Sequence, residues 1–483
     1  MMNPYYQNQS CDPFVTEKPC DLGNYAVYSI NVTGKDDVLA GLAFAKEKNV
    51  RLVIKSTGHD YNGKSTGKGA LSLWMHSLQT LQIMESYQSD KYSGPAIKLG
   101  PGIIAGIAYE AAAAAGYRIV GGECASVALA GGYTTGGGHS VLNTAYGMAA
   151  DNVLEWEVVT ADGEYLIATP EKNADLYWAL SGGGGGTYAV VLSMTTKLHP
   201  DGPVASGALQ FGLGDSPDES TFWEAIGLFF QQLPSFVVDQ NTFQFEILND
   251  TLNVWGITLP DMNVSAVQPL VAPYLAELEK LNINYTFTTN YSATYLDYFA
   301  SLMGPLPYGP YPPTEIWINR LVPVSVALNS TATGQLMDAF KTAVADGTFF
   351  FGCNGFNVAS DDSEQRKHPD NAVFPGWRDS IAACSLIAFW DYEAPLEPNL
   401  ALKETLVSVY APPIEAATPG GGIYLNEVDP WYKGDWKQEM YGANYDRLLD
   451  IKHQYDHGQL LYGHFAVGSD EFVIAGDGRL CTV

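Results

Sequence analysis

The 483-residue chain is short of basic side chains: 25 Lys and Arg stand against 53 Asp and Glu, a formal net charge of −28. Such an excess repels polyanions and anionic bilayers, which excludes nucleic acid and membrane surfaces as partners. Long hydrophobic runs are missing too, and without a stretch of about 18 apolar residues no transmembrane helix is expected. No signal peptide is visible, because Met1 opens onto polar, Tyr- and Asn-rich sequence that reads as a mature or trimmed chain. Neither the histidines nor the six cysteines show metal-ligand spacing, so no metal site is expected. Two glycine-rich runs carry no nucleotide-loop signature. No Lys-Ser/Thr follows Gly182–Gly186, and the Gly131–Gly138 run opens no helix ahead of an acidic ribose partner.

What is present suggests a large, ordered, exported protein. The length exceeds what one compact core supports, and a composition 46% hydrophobic and 16% charged leaves little room for disorder, so two domains are expected. Seven Asn-X-Ser/Thr sequons, at Asn8, Asn31, Asn249, Asn263, Asn284, Asn290 and Asn329, favour the secretory route and N-linked glycans. Cys11 and Cys20 are close enough to close a short disulfide loop in an oxidising compartment, whereas the pairing of Cys353, Cys384 and Cys481 stays open.

Along the chain, Val38, Leu42 and Ala45 fall at helical spacing behind Asp36 and Asp37, and Arg51–Lys55 reads as a buried strand running into Ser56-Thr57-Gly58-His59-Asp60. Ala96–Leu99 is a second strand, and Ile103–Ala115 an Ala-rich helix stopped by Gly116. Val153–Ala168 holds two apolar runs turned by Asp162-Gly163, a hairpin. Beyond about residue 205 the texture changes. Thr242–Ile247 and Thr251–Ile257 alternate like antiparallel strands, Val264–Leu281 and Asn399–Tyr410 read as covering helices, and Tyr441–Tyr455 is helical again. Three glycine clusters lie at 121–147, 182–186 and from about 420; by composition they are either tight turns or backbone cradles for phosphate.

Two segments carry a resemblance. Arg51-Leu-Val-Ile-Lys-Ser-Thr-Gly-His59-Asp-Tyr-Asn-Gly and Gly121-Gly-Glu-Cys124-Ala-Ser-Val-Ala-Leu-Ala-Gly-Gly-Tyr-Thr-Thr-Gly-Gly-Gly-His are similar to the flavin loops of the vanillyl-alcohol-oxidase family, in its berberine-bridge-enzyme-like branch. Leu176–Val191 and Tyr441–Leu448 resemble later family segments, and the first 200 and last 60 residues match better than the middle. The amino-terminal stretch around Cys11 is similar to secreted fungal isoamyl-alcohol-oxidase-like proteins. The resemblance implies an α+β fold: a two-part FAD-binding domain of the p-cresol methylhydroxylase type (1–205 and 425–483) around an inserted antiparallel substrate domain (206–424). It also implies FAD bound covalently, to His59 through the 8α-methyl and to Cys124 through C6. The matching loop positions implied to contact the cofactor are Ser56, Thr57, Gly58, Asp60, Gly122, Val127, Gly131, Gly132, Thr135, Gly136, Gly137, Gly138, Tyr146, Asn152 and Asn444.

The resemblance further implies an extracellular oxidase of a small alcohol or carbohydrate hydroxyl, with dioxygen as acceptor; a secondary-metabolite tailoring oxidoreductase and an inert flavin carrier are the alternatives. An imidazole and a thiolate are the nucleophiles such links require. Where plant members end a Tyr-X-Asn-Tyr strand with a Tyr, this chain has Tyr424-Leu-Asn-Glu427. Glu427 is therefore the expected general base, Tyr424 and Tyr146 its orienting groups, and Asp429, on the same expected strand face, the reserve.

Overall fold

The computed structural model describes residues 10, 11, 15, 17, 19–309, 315–359 and 368–483. Its architecture is α+β, and the amino-terminal part forms two small sheets. In the first, Tyr28–Asn31, Leu71–Trp74 and Leu52–Lys55 pair in parallel, the Leu71–Trp74 strand in the middle. The helix Lys35–Lys48 packs on it through Val38, Leu42 and Ala45; Asp36 and Asp37 occupy its first turn, Lys46 and Lys48 its last, and Asn49 closes it at φ 50°. In the second, five antiparallel strands run in the order Leu81–Gln88, Ser93–Leu99, Ala189–Lys197, Val153–Thr160, Tyr165–Ala168, with the expected hairpin turning at Gly163.

The middle of the chain builds a seven-stranded sheet. Its order is Thr286–Ser292, Val204–Gly212, Thr251–Pro260, Thr242–Ile247, Phe350–Gly355, Ser380–Phe389, Glu315–Pro323, all pairs antiparallel. Period-two alternation divides its side chains. Phe243, Phe245, Leu252, Val254, Phe351, Cys353, Cys384 and Leu386 sit in one core with Phe222, Phe229, Phe230, Tyr274 and Phe340 from the helices Glu219–Phe236, Val267–Lys280 and Ser330–Val344. Glu246, Trp255, Phe350, Asn354, Ser385 and Ile387 line a cavity on the other face.

Cys353 and Cys384 are directly opposite each other in the ladder and form a disulfide, which completes the pairing left open by the sequence; Cys11 and Cys20 form the second, and Cys124 and Cys481 are free thiols. Because a one-residue slip would turn every cavity side chain into the helix-covered core, a covalent tie across this register protects the site.

The carboxyl-terminal stretch returns to the first part. Met440, Tyr441, Tyr445, Leu448 and Ile451 share a core with Trp178, Leu180 and Tyr188. Leu461 makes a parallel bridge with Leu52 at the root of the His59 loop. One local expectation is corrected here: Tyr424–Glu427 is not a strand but a turn, in which the Glu427 N–H donates to the Tyr424 carbonyl at 2.9 Å. The helix expected over 399–410 runs from Leu396 to Thr405 and then widens over Leu406–Tyr410.

Candidate active site

A cavity of about 710 Å³ lies between the glycine loops and the seven-stranded sheet. The strand Leu52–Lys55 delivers the chain into a loop that the Asp60 carboxylate closes on itself, accepting the Asn62 N–H at 3.3 Å and the N–H groups of Lys64 and Ser65. Ser56 Oγ ties the loop to the Pro101 carbonyl. Across the cavity the second glycine segment is braced from inside, Thr134 Oγ1 donating to Leu129 O at 2.7 Å and Thr135 Oγ1 to Gly131 O at 2.9 Å. The glycines have distinct reasons. A Cβ at Gly185 would come within 2.8 Å of Gly132 Cα, so two loops meet backbone to backbone in the cavity wall; Gly182, at φ +122°, packs on Val373 outside it. The first lets two loops pack together in the cavity wall, and the second forms a tight structural turn.

His59 and Cys124, 65 residues apart in sequence, line the same cavity. Burial depresses the His59 imidazole to about 4, so it stays neutral and nucleophilic at ordinary pH; its Nε2 lies 3.0 Å from Ser126 Oγ. Burial, reinforced by Glu123, Glu315 and Glu427, pushes the Cys124 thiol up to about 12. Ser56, Thr57, Gly58, Asp60, Gly122, Val127, Gly131, Gly132 and Thr135 line the cavity with them.

The remaining loop positions lie outside the lining. Gly136 makes room for Asn426, whose oxygen would lie 2.2 Å from a Cβ there. Gly137 and Gly138 take positive φ. Asn152 bonds to the Tyr146 and Met148 carbonyls at 3.0 and 2.9 Å, and Asn444 to the Ala372 and Val373 carbonyls at 3.3 and 3.2 Å. Tyr146 stacks on His199 at 3.8 Å between ring centroids and does not reach Glu427's side of the molecule through the cavity lining.

Glu427 does reach the cavity, and it does not stand alone. Its Oε1 lies 3.0 Å from His139 Nε2 and its Oε2 accepts from Asn319 Nδ2 at 3.3 Å, with both members of the pair largely buried. Trp317 Nε1 donates to the Glu427 carbonyl at 3.1 Å, and Asn426 pins the turn to the Gly132 and Tyr133 carbonyls and to Tyr424 OH. Burial opposes charge on His139, but the Glu427 carboxylate overcomes it by its charge and its hydrogen bond, with the charge of Glu123 adding to these, and holds the imidazole protonated to about pH 9. Tyr424 packs edge-on to His139 at 5.3 Å, its phenol held neutral by burial and by Glu427. Asp429 lies outside the cavity lining, paired with buried Lys403.

Sequence reasoning passed over several lining residues. His139 ends the quoted glycine motif, yet its partner is 288 residues away. Glu123 and Glu315 add two carboxyls; burial and Glu427 push Glu315 up to about 7. Tyr61 and Trp317 stack at 4.2 Å on the rim of this cluster. Of the aromatic residues in the middle of the chain, Trp255 and Trp317 line the cavity, whereas Tyr295, Tyr298 and Trp390 fill cores. Among the described residues no cluster of His, Cys, Asp and Glu has metal-binding geometry, and no helix is long and apolar enough to cross a membrane.

A glycine-walled cavity that holds two nucleophiles, His59 and Cys124, together with the His139–Glu427 pair fits a flat dinucleotide with an oxidisable substrate beside it, and so defines a flavin-dependent oxidoreductase. Residues 28–169 match the family described as FAD binding domain, and residues 423–464 that described as berberine and berberine like. The chain is 51% identical over 486 residues to the bifunctional decalin synthase calF of Penicillium decumbens, covering 100% of this chain and 84% of that protein. It is 44% identical over 484 residues to the VAO-type flavoprotein oxidase VAO615 of Thermothelomyces thermophilus, covering 100% and 83%. The crystal structure of the VAO-type flavoprotein MtVAO615 from Myceliophthora thermophila C1 superposes with a TM-score of 0.94 over 100% of this chain and 87% of that one. The chain belongs to the VAO-type, berberine-bridge-like family of FAD-linked oxidoreductases.

Proposed function

We propose that the protein is a secreted oxidase that carries FAD on both His59 and Cys124 and oxidises an uncharged alcohol, a small alcohol or a carbohydrate hydroxyl, to a carbonyl, with dioxygen as acceptor and hydrogen peroxide as product. The observation that carries this reading is the His139–Glu427 pair in the cavity that also holds His59 and Cys124. Bound FAD supplies the two-electron acceptor for the carbinol hydrogen and returns the electrons to dioxygen. The chain's part is the proton. Glu427, fixed from two sides by His139 and Asn319 and through its backbone by Trp317, accepts the substrate hydroxyl proton, and the charged imidazole balances the negative oxygen as the proton leaves.

Carboxyl groups from Asp60, Glu123, Glu246, Glu315 and Glu427 line the cavity against His139 and Lys64, so carboxylate or phosphate substrates are repelled and neutral ones admitted. The stacked Tyr61 and Trp317 offer a flat face to the substrate body. Tyr61→Ala is expected to weaken binding of an aromatic alcohol by about 2- to 10-fold, the value of one ring contact, and to leave a short aliphatic alcohol nearly unaffected. Equal losses for both substrates in KM measurements would remove Tyr61 from the recognition surface.

Export is supported by the two disulfides and by exposure of Asn31, Asn249, Asn263, Asn284, Asn290 and Asn329; Asn8 lies outside the described residues. Double attachment predicts that FAD stays with the denatured protein and that peptide mapping recovers flavin on both His59 and Cys124. Cys124→Ala should retain flavin on His59 alone, with slower reduction. Quantitative release of FAD from the parent protein by acid would refute covalent binding. A second reading is favoured by one finding, the 51% identity to a protein named a decalin synthase: oxidation of a secondary metabolite, with ring formation following it. Anaerobic mixing decides among the readings. Bleaching by simple alcohols or sugars supports the first, bleaching only by a larger natural-product alcohol the second, and no bleaching at all an inert carrier.

A further inference from the structure

Cys124 presents a chemical difficulty. Only a thiolate adds to an electrophilic ring carbon, yet this thiol lies buried among carboxyls, with Glu123, Glu315 and Glu427 all raising its pKa, so almost none of it is ionised at neutral pH. The charged imidazole of His139 is bound to Glu427, and the groups that act most strongly on Cys124 are acidic. A local proton acceptor is required.

Glu123 precedes Cys124 in the chain, and both side chains belong to the lining of the same cavity. The Glu123 Oε1 is fully buried and has no hydrogen-bond partner, although a buried carboxylate oxygen ordinarily has at least one. The Asn354 side chain hydrogen-bonds the carboxyl, and His139, Glu427, Cys124 and the phenols of Tyr109, Tyr133, Tyr295 and Tyr298 also interact with it. Tyr109 is already committed, donating to Gly122 O at 2.7 Å, and Tyr133 to His139 O at 2.7 Å. Burial raises the Glu123 carboxyl, and with it its strength as a base.

We propose that Glu123 takes the Cys124 thiol proton as the sulfur joins the flavin ring, so that this chain builds its own second cofactor link. The assignment rests on the double attachment proposed above. The Sγ–H bond breaks, its proton passes to the Glu123 carboxylate, and an Sγ–C6 bond forms. The hydrogen displaced from C6 leaves as a proton. The two electrons left on the ring pass to dioxygen, which with two protons becomes hydrogen peroxide.

Glu123→Gln removes the acceptor and also a repelling negative charge, so the two roles predict opposite signs. If Glu123 is the base, the sulfur link forms about a hundred-fold or more slowly in the Gln variant at pH 7, which then accumulates flavin on His59 alone. Holding that purified holoprotein in air at pH 10 should complete the link, hydroxide replacing the carboxylate. The readout is mass measurement of the denatured protein with peptide mapping at both sites, which does not depend on turnover. Glu123→Ser, smaller and equally without a carboxylate, gives the same result and serves where the Gln variant does not fold. A Gln or Ser variant that forms the sulfur link at the parent rate or faster overturns the assignment and makes Glu123 a repelling charge only. A parent protein without the sulfur link overturns both this assignment and the double attachment.

Discussion

Glu427→Gln is expected to leave flavin content and absorbance intact while slowing anaerobic flavin reduction by about a hundred- to ten-thousand-fold, the range a positioned base contributes. The substitution preserves shape and one acceptor for His139, but it removes the proton acceptor and the charge that holds the imidazole protonated. The sign of the pH effect follows from that charge. His139 is raised from its usual 6.5 to about 9, so the ion pair is complete below about pH 6.5 and is lost as pH rises through about 9. The parent reduction rate should therefore fall above about pH 9. In the Gln variant burial acts on the imidazole with only Glu123 left to oppose it, so His139 should titrate well below its value in the parent. An imidazole resonance followed by NMR would register that drop independently of rate. Reduction of the Gln variant at the parent rate with a good substrate would show that Glu427 only shapes the turn, and the base would then have to be His139 or Tyr424.

Lys452→Met should destabilise the protein by about 3–5 kcal/mol, the cost of leaving a buried charge without its partner. Lys452, on the helix Tyr445–Tyr455, and Asp456, just past its end, are both buried, and Lys452 Nζ also donates to the carbonyls of Thr187 at 2.9 Å and Leu461 at 2.7 Å. Asp456 in turn accepts the N–H groups of Leu460 and Leu461 at 2.8 Å each. The pair thus fastens Leu461 and Tyr462, which line the cavity, to the strand that carries the His59 loop. Denaturant midpoints and covalent flavin content should fall together. A loss below about 1 kcal/mol, the size of an ordinary substitution, would mean that the carboxylate finds another partner or a proton.

The parts of this molecule that were legible in sequence are those in which chemistry and backbone requirement fall within one short stretch. The helix behind Asp36 and Asp37, the hairpin at Gly163, and the loops that place His59 and Cys124 each announce themselves within about twenty residues. The helix Glu219–Phe236 passed unassigned although Asp218 caps it through the Thr221 N–H and Phe222, Ile226, Phe229, Phe230 and Leu233 keep helical spacing. The Glu427 site was half visible. Glu427 does reach the cavity, but the turn that presents it reads as a strand only through the resemblance to the plant members' Tyr-X-Asn-Tyr strand; Tyr424-Leu-Asn-Glu itself has no period-two alternation. His139, Asn319 and Trp317 come from three distant places, and no spacing rule joins them to Glu427. Tyr146 was misplaced for a related reason: its neighbourhood in sequence is the flavin loop, but its ring is claimed by His199.

The disulfide across Phe350–Gly355 and Ser380–Phe389 has a consequence for how this enzyme can change. On each of these strands, neighbouring residues answer to different constraints: Phe351 and Leu386 to the packing of the helices, Asn354, Ser385 and Ile387 to whatever molecule enters the cavity. With the strand alignment secured by a covalent bond whose cysteines pack in the helix-covered core, Cys353 alone of the two also reaching the cavity lining, the second set is free to vary. New substrates can be reached by single changes at alternate positions, with no compensating substitution behind the sheet. The floor of the cavity is in effect an interchangeable surface mounted on a fixed frame, and a library restricted to Trp255, Asn354, Ser385 and Ile387 should yield mostly folded proteins with altered preference.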